Sequence, residues 1–91
     1  VDPDGGTPLL VAAEYGNAGA VRPLLEAGAD PNAANAIGWT PLLYAAQSGS
    51  AKTVELLLGY GAEPNAETSD WTPLLFAARN GSAKTLALLL K

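Results

Sequence analysis

The chain has 91 residues and a net charge of −4, and nearly half of its residues are apolar. It contains no cysteine and no histidine, which excludes disulfides, thiolate metal sites and a histidine general base. Five Lys and Arg residues against nine Asp and Glu argue against nucleic acid as a partner, because phosphate binding depends on clustered positive charge. No apolar run approaches the length of a membrane span.

A four-residue motif, Thr-Pro-Leu-Leu, occurs three times along the chain. Its copies begin at Thr7, Thr40 and Thr72, so a unit of about 33 residues fills the sequence. The third copy begins one residue early, which places a one-residue deletion between Asn65 and Thr72. We expect a single domain over 1–91 with three repeats, the last one truncated, at approximately 1–33, 34–66 and 67–91.

Each repeat predicts two short helices joined by a glycine turn. Thr followed by Pro is typical of an N-cap and the first helical residue, and glycine commonly follows the last one. The predicted first helices are Pro8–Tyr15, Pro41–Ser48 and Pro73–Asn80. The predicted second helices are Ala18–Ala27, Ala51–Tyr60 and Ala83 to at least Leu90.

Units of this size cannot bury their apolar faces alone, so each must pack on its neighbour and the fold grows as a solenoid. The first helices carry paired alanines and the second helices carry large aliphatic residues, which favours a concave side lined by the first helices and turn tips. Pro23 falls inside a second helix, where we expect a kink or a helix that starts near Pro23.

The three repeats resemble ankyrin repeats. The resemblance is carried by TPLLVAA, TPLLYAA and TPLLFAA, followed by LLEAGADPNA and ELLLGYGAEPNA in the first two copies. It implies an all-α solenoid of three helix-turn-helix units joined by hairpin-like turns. The family's TPLH motif has His where this chain has Leu10, Leu43 and Leu75, so the backbone hydrogen bonds of that His must be replaced or lost.

The resemblance also implies a protein-protein interaction module that binds a protein or peptide through its concave face and turn tips. No enzymatic activity, cofactor or metal is expected. In the family, contact residues lie on the turn tips, in the middle of the first helix and just before its terminal glycine. The partner-binding residues predicted on this basis are Trp39, Trp71, Tyr44, Phe76, Tyr15, Ile37, Asp70, Gln47 and Arg79.

Packing or plain solvation is the alternative role for these side chains. Tyr44 and Phe76 fit equally well between neighbouring first helices. Trp39 and Trp71 also fit over the turns, where they would shield the prolines of the motif. The charged and amide side chains of the set are compatible with solvent exposure alone.

An alternative function is a structural or engineered scaffold that self-associates. The last helix carries Leu86, Leu88, Leu89 and Leu90 without a glycine cap, whereas terminal repeats usually present a polar face to water. We therefore expect a monomer or end-to-end association through apolar terminal repeats. The start at Val1 and the absence of Met, Cys and His favour a processed, excised or engineered piece.

Catalysis and modification have only weak signals in the sequence. Ser48, Ser50 and Lys52 lie close together, but Ser is a natural N-cap at such a helix start and no further group converges on them. Asn80 begins an Asn-Gly-Ser glycosylation pattern, for which a helix-ending turn is the alternative. With no secretory or membrane signal in the chain, we expect an intracellular protein, cytoplasmic or nuclear.

Overall fold

The computed structural model describes residues 8–35, 38–65, 72–80 and 83–90. Within these ranges it contains six α-helices and no strands, and the helix bounds agree with the predicted ones to within one residue. The all-α fold class predicted from the sequence is confirmed. The helices are α1 (Pro8–Glu14), α2 (Ala18–Glu26), α3 (Pro41–Ser48), α4 (Ala51–Gly59), α5 (Pro73–Asn80) and α6 (Ala83–Leu90).

The six helices form three pairs that stack in one row. α1 packs on α3 and α3 on α5, while α2 packs on α4 and α4 on α6, so the first helices form one layer and the second helices another. The larger cluster of buried apolar side chains joins repeats 1 and 2 and includes Val21, Leu42 and Leu57. The middle repeat is therefore covered from both sides, which is the arrangement of a solenoid.

Threonine caps start the first helices, as the sequence predicts. Oγ1 of Thr40 accepts a hydrogen bond from the N–H of Leu43 (3.3 Å) at the start of α3. Oγ1 of Thr72 accepts one from the N–H of Leu75 (3.2 Å) at the start of α5. Each bond pairs one of the N–H groups that a helix leaves free at its N-terminus. Thr7, the third predicted cap, lies outside the described residues.

Glycines end the first two of these helices in the left-handed conformation. Gly49 follows α3 with φ of 81° and Gly16 follows α1 with φ of 65°. At Gly16 an added Cβ would also lie 3.0 Å from Oγ of Ser48 in the next repeat. Glycine is therefore favoured at position 16 both by backbone conformation and by the close approach of repeat 2. Gly81 lies outside the described residues.

Pro23 lies inside α2. Of the two outcomes expected for it, the prediction that the helix starts near Pro23 is wrong. α2 begins at Ala18, is capped by the side chain of Asn17 and continues through Pro23. An interior proline costs a helix about 3 kcal/mol. Val21 and Leu25 are buried on either side of it, and burial of each contributes about 1.5–3 kcal/mol, which offsets that cost.

An asparagine side chain joins the turns of successive repeats. Nδ2 of Asn32, after α2, donates to the carbonyl of Gly61 (3.1 Å), and its Oδ1 accepts from the N–H of Glu63 (2.7 Å), after α4. One amide thus uses a donor and its acceptor on the same neighbouring turn. This pairing fixes the spacing of repeats 1 and 2 at the edge of the second helices.

Candidate functional site

The turn between repeats 1 and 2 is closed by Asn35. Its Oδ1 accepts a hydrogen bond from the N–H of Trp39 (3.0 Å), and its backbone N–H donates to the Trp39 carbonyl (3.0 Å). Gly38 turns the chain between them with φ of 87° and donates its N–H to the carbonyl of Asn35 (2.9 Å). These bonds hold the backbone of Trp39 at the end of the turn, just before α3.

Asn35 also binds the aromatic side chain in the middle of α3. Its Nδ2 donates to the hydroxyl oxygen of Tyr44 (2.9 Å), so that oxygen acts as an acceptor and the hydroxyl keeps its own proton for another partner. The ring centroids of Trp39 and Tyr44 lie 4.9 Å apart with planes tilted by 41°, which is a favourable geometry for an aromatic pair. Both side chains remain partly exposed.

Phe76 supports Trp39 from repeat 3. Their ring centroids lie 5.2 Å apart, and Phe76 packs with Leu43 and Ala46 in a small buried cluster. Because Phe76 is only 2% exposed, its prediction as a contact residue is corrected: it packs between first helices, which was the alternative interpretation. Its contribution to the site is to place the ring of Trp39.

Three other predicted contact residues lie exposed at the ends of the first helices. Tyr15 follows α1 and is 78% exposed, Gln47 lies in the last turn of α3, and Arg79 lies in the last turn of α5. Because α1, α3 and α5 stack side by side, these positions share one edge of the first-helix layer. We use the name contact strip for the partly or fully exposed residues Tyr15, Trp39, Tyr44, Gln47 and Arg79.

A hydrogen-bond pair that the sequence did not predict secures the end of α3. Nδ2 of Asn80, on α5, donates to the carbonyls of Ala46 (2.7 Å) and Gln47 (2.9 Å). These carbonyls belong to the last turn of α3, where a helix lacks internal donors. Asn80 thereby fixes the backbone that carries Gln47. It is also the last residue of α5, which agrees with the helix-ending interpretation of its glycosylation pattern.

Three predicted contact residues, Ile37, Asp70 and Trp71, lie outside the described residues. The predicted deletion between Asn65 and Thr72 falls within 66–71, which also lies outside them. The contact strip as the structure gives it is therefore built on α1, α3, α5 and the turn that ends at Trp39.

The weak catalytic candidates are engaged in local contacts. Oγ of Ser48 donates to a carbonyl of its own helix (2.7 Å), and Oγ of Ser50 accepts from the N–H of Thr53 (3.2 Å) as the N-cap of α4. Lys52 pairs with Glu55 at 3.3 Å on the exposed surface of α4. Within the described ranges, no three His, Cys, Asp or Glu residues lie close enough together to hold a metal ion.

A family model described as ankyrin repeats in three copies matches residues 1–68. The match covers most of the chain and contains the first two of the stacked helix pairs, α1 with α2 and α3 with α4. The chain belongs to the ankyrin repeat family. Ankyrin repeats are generally protein-protein interaction modules and are typically non-catalytic. A search of curated proteins found no match to this chain. None of the helices within the described ranges is long and apolar enough to cross a membrane.

The leucines at the family's His position differ in solvent exposure between the three ankyrin repeats. Leu10 and Leu43 are buried, so apolar packing takes the place of the hydrogen bonds that a His would make. Leu75 remains exposed, because among the described residues no helix pair packs on that side of α5. The same substitution is thus accommodated in two repeats and leaves an apolar surface in the third.

Proposed function

We propose that this ankyrin domain binds a protein or a peptide through the contact strip and the turn tips, and that it has no catalytic role. The observation that carries the proposal is the state of Trp39, which is partly exposed while Asn35 fixes its backbone and Phe76 supports its ring. A large side chain that is already ordered loses little conformational freedom on binding. Trp and Tyr are also enriched among the residues that dominate binding energy.

The contact strip combines aromatic surface with polar groups that suit a polypeptide partner. The Tyr44 hydroxyl retains a proton to donate, the Gln47 amide offers a donor and an acceptor, and Arg79 carries a positive charge. Such groups recognise the carbonyl and carboxylate oxygens of a polypeptide. The net charge of −4 opposes binding to nucleic acid.

We include an intracellular location, in the cytoplasm or nucleus, in the proposal. The Asn80 amide nitrogen donates two hydrogen bonds to α3. A glycan on that nitrogen would replace one of its two hydrogens and weaken the contact between repeats 2 and 3. This argument supports a compartment in which the Asn-Gly-Ser pattern is not glycosylated.

Selection from a displayed library of random peptides tests the proposed surface. The dissociation constants of selected peptides are measured for the wild type and for Trp39→Ala, in which we expect a loss of affinity of about 10-fold or more. The double variant Trp39→Ala with Trp71→Ala is expected to abolish binding while the helical circular dichroism spectrum persists. Tyr60→Ala is the matched control, because Tyr60 is an exposed aromatic residue outside the contact strip.

Two results would contradict the proposed surface. In one, Trp39→Ala folds and binds the selected peptides as tightly as the wild type. In the other, Tyr60→Ala loses as much affinity as Trp39→Ala, which would show that binding does not depend on the contact strip.

A further inference from the structure

The tyrosine hydroxyl in the middle of α3 has only its proton to offer to a partner. The oxygen of Tyr44 already accepts a hydrogen bond from Nδ2 of Asn35 (2.9 Å), and its proton has no acceptor within the described part of the chain. The other end of the same amide is also engaged, because Oδ1 of Asn35 accepts the N–H of Trp39 (3.0 Å). Tyr44 therefore meets a partner as a hydrogen-bond donor.

Trp39 supplies a second donor beside Tyr44. An indole carries one N–H group and no acceptor. This N–H makes no hydrogen bond to a described residue, and no buried side-chain nitrogen in the described ranges lacks a partner, so solvent reaches it. The aromatic pair of Trp39 and Tyr44 thus offers two donors, while its one acceptor oxygen is occupied. The Gln47 amide carries a donor and an acceptor, so the donor-only part of the contact strip is the aromatic pair.

The two rings give the aromatic pair an ordered apolar surface. Their centroids lie 4.9 Å apart with planes tilted by 41°, and both side chains are partly exposed. Trp39 also packs on the buried cluster that contains Phe76, and Tyr44 packs on the larger core cluster. Because these contacts are made within the chain, binding a partner spends little free energy on ordering the rings.

Proline matches both the donors and the rings. A proline residue has a carbonyl group but no N–H, so a run of prolines presents acceptors and no backbone donors. In the polyproline II conformation these carbonyls make no internal hydrogen bonds and remain available. Proline-rich segments in this conformation bind grooves lined by aromatic side chains, and their preformed shape lowers the entropy that binding costs.

Other backbone conformations fit the aromatic pair less well. An α-helical partner uses its interior carbonyls within the helix, so the two donors would remain unmatched. An extended strand alternates donors with acceptors and pairs with the edge of a sheet, whereas the described ranges contain helices and no strand. A flexible segment brings N–H groups for which the aromatic pair has no free acceptor.

An exposed carboxylate adds a preference for positive charge. Glu14 occupies the position in α1 that Gln47 occupies in α3, and both are exposed. Glu14 makes no ion pair with any residue that the structure describes, and the chain has a net charge of −4. α1 packs beside α3. Packed helices lie about 8–10 Å apart, a distance that about three residues span in polyproline II.

We infer that the contact strip binds a proline-rich segment in the polyproline II conformation, with a Lys or Arg about three residues from the prolines on the aromatic pair. The inference rests on the proposed function, because it names the class of partner for the same surface. The segment's carbonyls accept the hydroxyl proton of Tyr44 and the indole N–H of Trp39. Its pyrrolidine rings pack on the two aromatic rings, and its cation pairs with Glu14.

Fluorescence anisotropy with a labelled oligoproline tests the class of partner. An oligoproline of about ten residues spans about 30 Å in the polyproline II conformation. The wild type is expected to bind it about 10-fold or more tightly than a labelled Gly-Ser peptide of equal length, which is flexible and carries backbone N–H groups. Equal affinity for the two peptides would overturn the inference.

Two variants remove a donor and keep an aromatic ring. Tyr44→Phe and Trp39→Phe are each expected to weaken oligoproline binding by about 2- to 10-fold, the effect of one lost hydrogen bond. Tyr60→Phe, which removes an exposed hydroxyl outside the contact strip, should bind like the wild type. If Tyr44→Phe loses its helical spectrum, Trp39→Phe alone gives the test. Wild-type affinity in the variants that fold would show that the donors do not select the partner.

The role of Glu14 is tested with oligoproline that carries Arg at both ends. The wild type should bind this peptide about 2- to 5-fold more tightly than plain oligoproline, as expected for an exposed ion pair. Glu14→Gln should remove the gain and leave the affinity for plain oligoproline unchanged. Glu26→Gln is the matched control, because it removes the same charge from an exposed position on α2. An equal loss in both variants would contradict the pairing with Glu14.

Peptides selected from the random library separate this inference from the proposed function. Selected peptides that depend on Trp39 should be enriched in proline. Peptides that depend on Trp39 without proline enrichment would overturn the inference and leave the proposed function standing. If no selected peptide depends on Trp39 and oligoproline does not bind, both fail.

Discussion

Repeats 2 and 3 contain the same Thr-Pro-Leu-Leu segment in different surroundings. In both, threonine caps an eight-residue helix. In repeat 2 the two leucines are fully buried between neighbouring repeats, and in repeat 3 they are exposed to solvent by more than a third. The comparison shows that the local sequence determines the helix, while the neighbouring repeat determines how much its side chains contribute to stability.

Truncation of equivalent leucines should give the largest difference between the two repeats. Leu42→Ala removes a fully buried side chain and is expected to lower the free energy of unfolding by about 2–5 kcal/mol. Leu74→Ala removes a partly exposed one and should cost about 1 kcal/mol or less. Urea unfolding followed by circular dichroism, at concentrations where the chain is monomeric, measures both. Equal costs would mean that repeat 3 is covered in solution.

Loss of the Asn80 side chain should have a smaller effect that crosses the repeat boundary. Asn80→Ala leaves two carbonyls of α3 without a donor from α5 and is expected to cost about 1–3 kcal/mol of unfolding free energy. Asn65→Ala is the control, because the Asn65 side chain makes no hydrogen bond to a described residue. Asn80→Asp should cost at least as much as Asn80→Ala, since it places carboxylate oxygens against those carbonyls. If Asn80→Ala is as stable as the control, the hydrogen bonds from Asn80 do not stabilise the contact between repeats 2 and 3.

Removal of the threonine caps should give the smallest contrast. Thr40→Ala and Thr72→Ala each remove one side-chain acceptor at a helix start and are expected to cost about 1 kcal/mol each. Because a cap acts within one turn of its own helix, the two costs should agree closely, unlike those of the leucines. Urea denaturation of both variants tests this, and a clear inequality would show that capping also depends on the neighbouring repeat.

The helices could be predicted from the sequence because their ends are defined locally. Thr-Pro at the start and glycine after the end act within a few residues, and both signals recur in each copy. Pro23 shows the limit of this approach. Its local cost is readable from the sequence, but the burial of Val21 and Leu25 that offsets it depends on packing against α4.

Exposed contact residues could be predicted from the sequence only where the position within the repeat determines the exposure of the side chain. Trp39 and Tyr44 lie at family contact positions and are partly exposed, as expected. Phe76 has the same phase as Tyr44 and Val11, yet only Phe76 is buried. It packs against Trp39, Leu43 and Ala46 of repeat 2, and these contacts cannot be predicted from the repeat phase alone. The hydrogen bonds of the Asn35 and Asn80 side chains were also not predicted. An asparagine side chain has several possible hydrogen-bond partners, and the neighbouring sequence does not select one of them.

The bond from Asn80 to α3 has a consequence for how such a chain could be cut and rejoined. The side chain that completes the C-terminus of the helix in repeat 2 is encoded more than thirty positions later, at the end of α5. A transplanted repeat 2 would therefore lose the donor to its Gln47 carbonyl and keep only the Gly49 N–H on its Ala46 carbonyl, and a transplanted α5 would carry an Asn80 amide without these acceptors. The smallest piece that could be exchanged intact is longer than the motif that repeats.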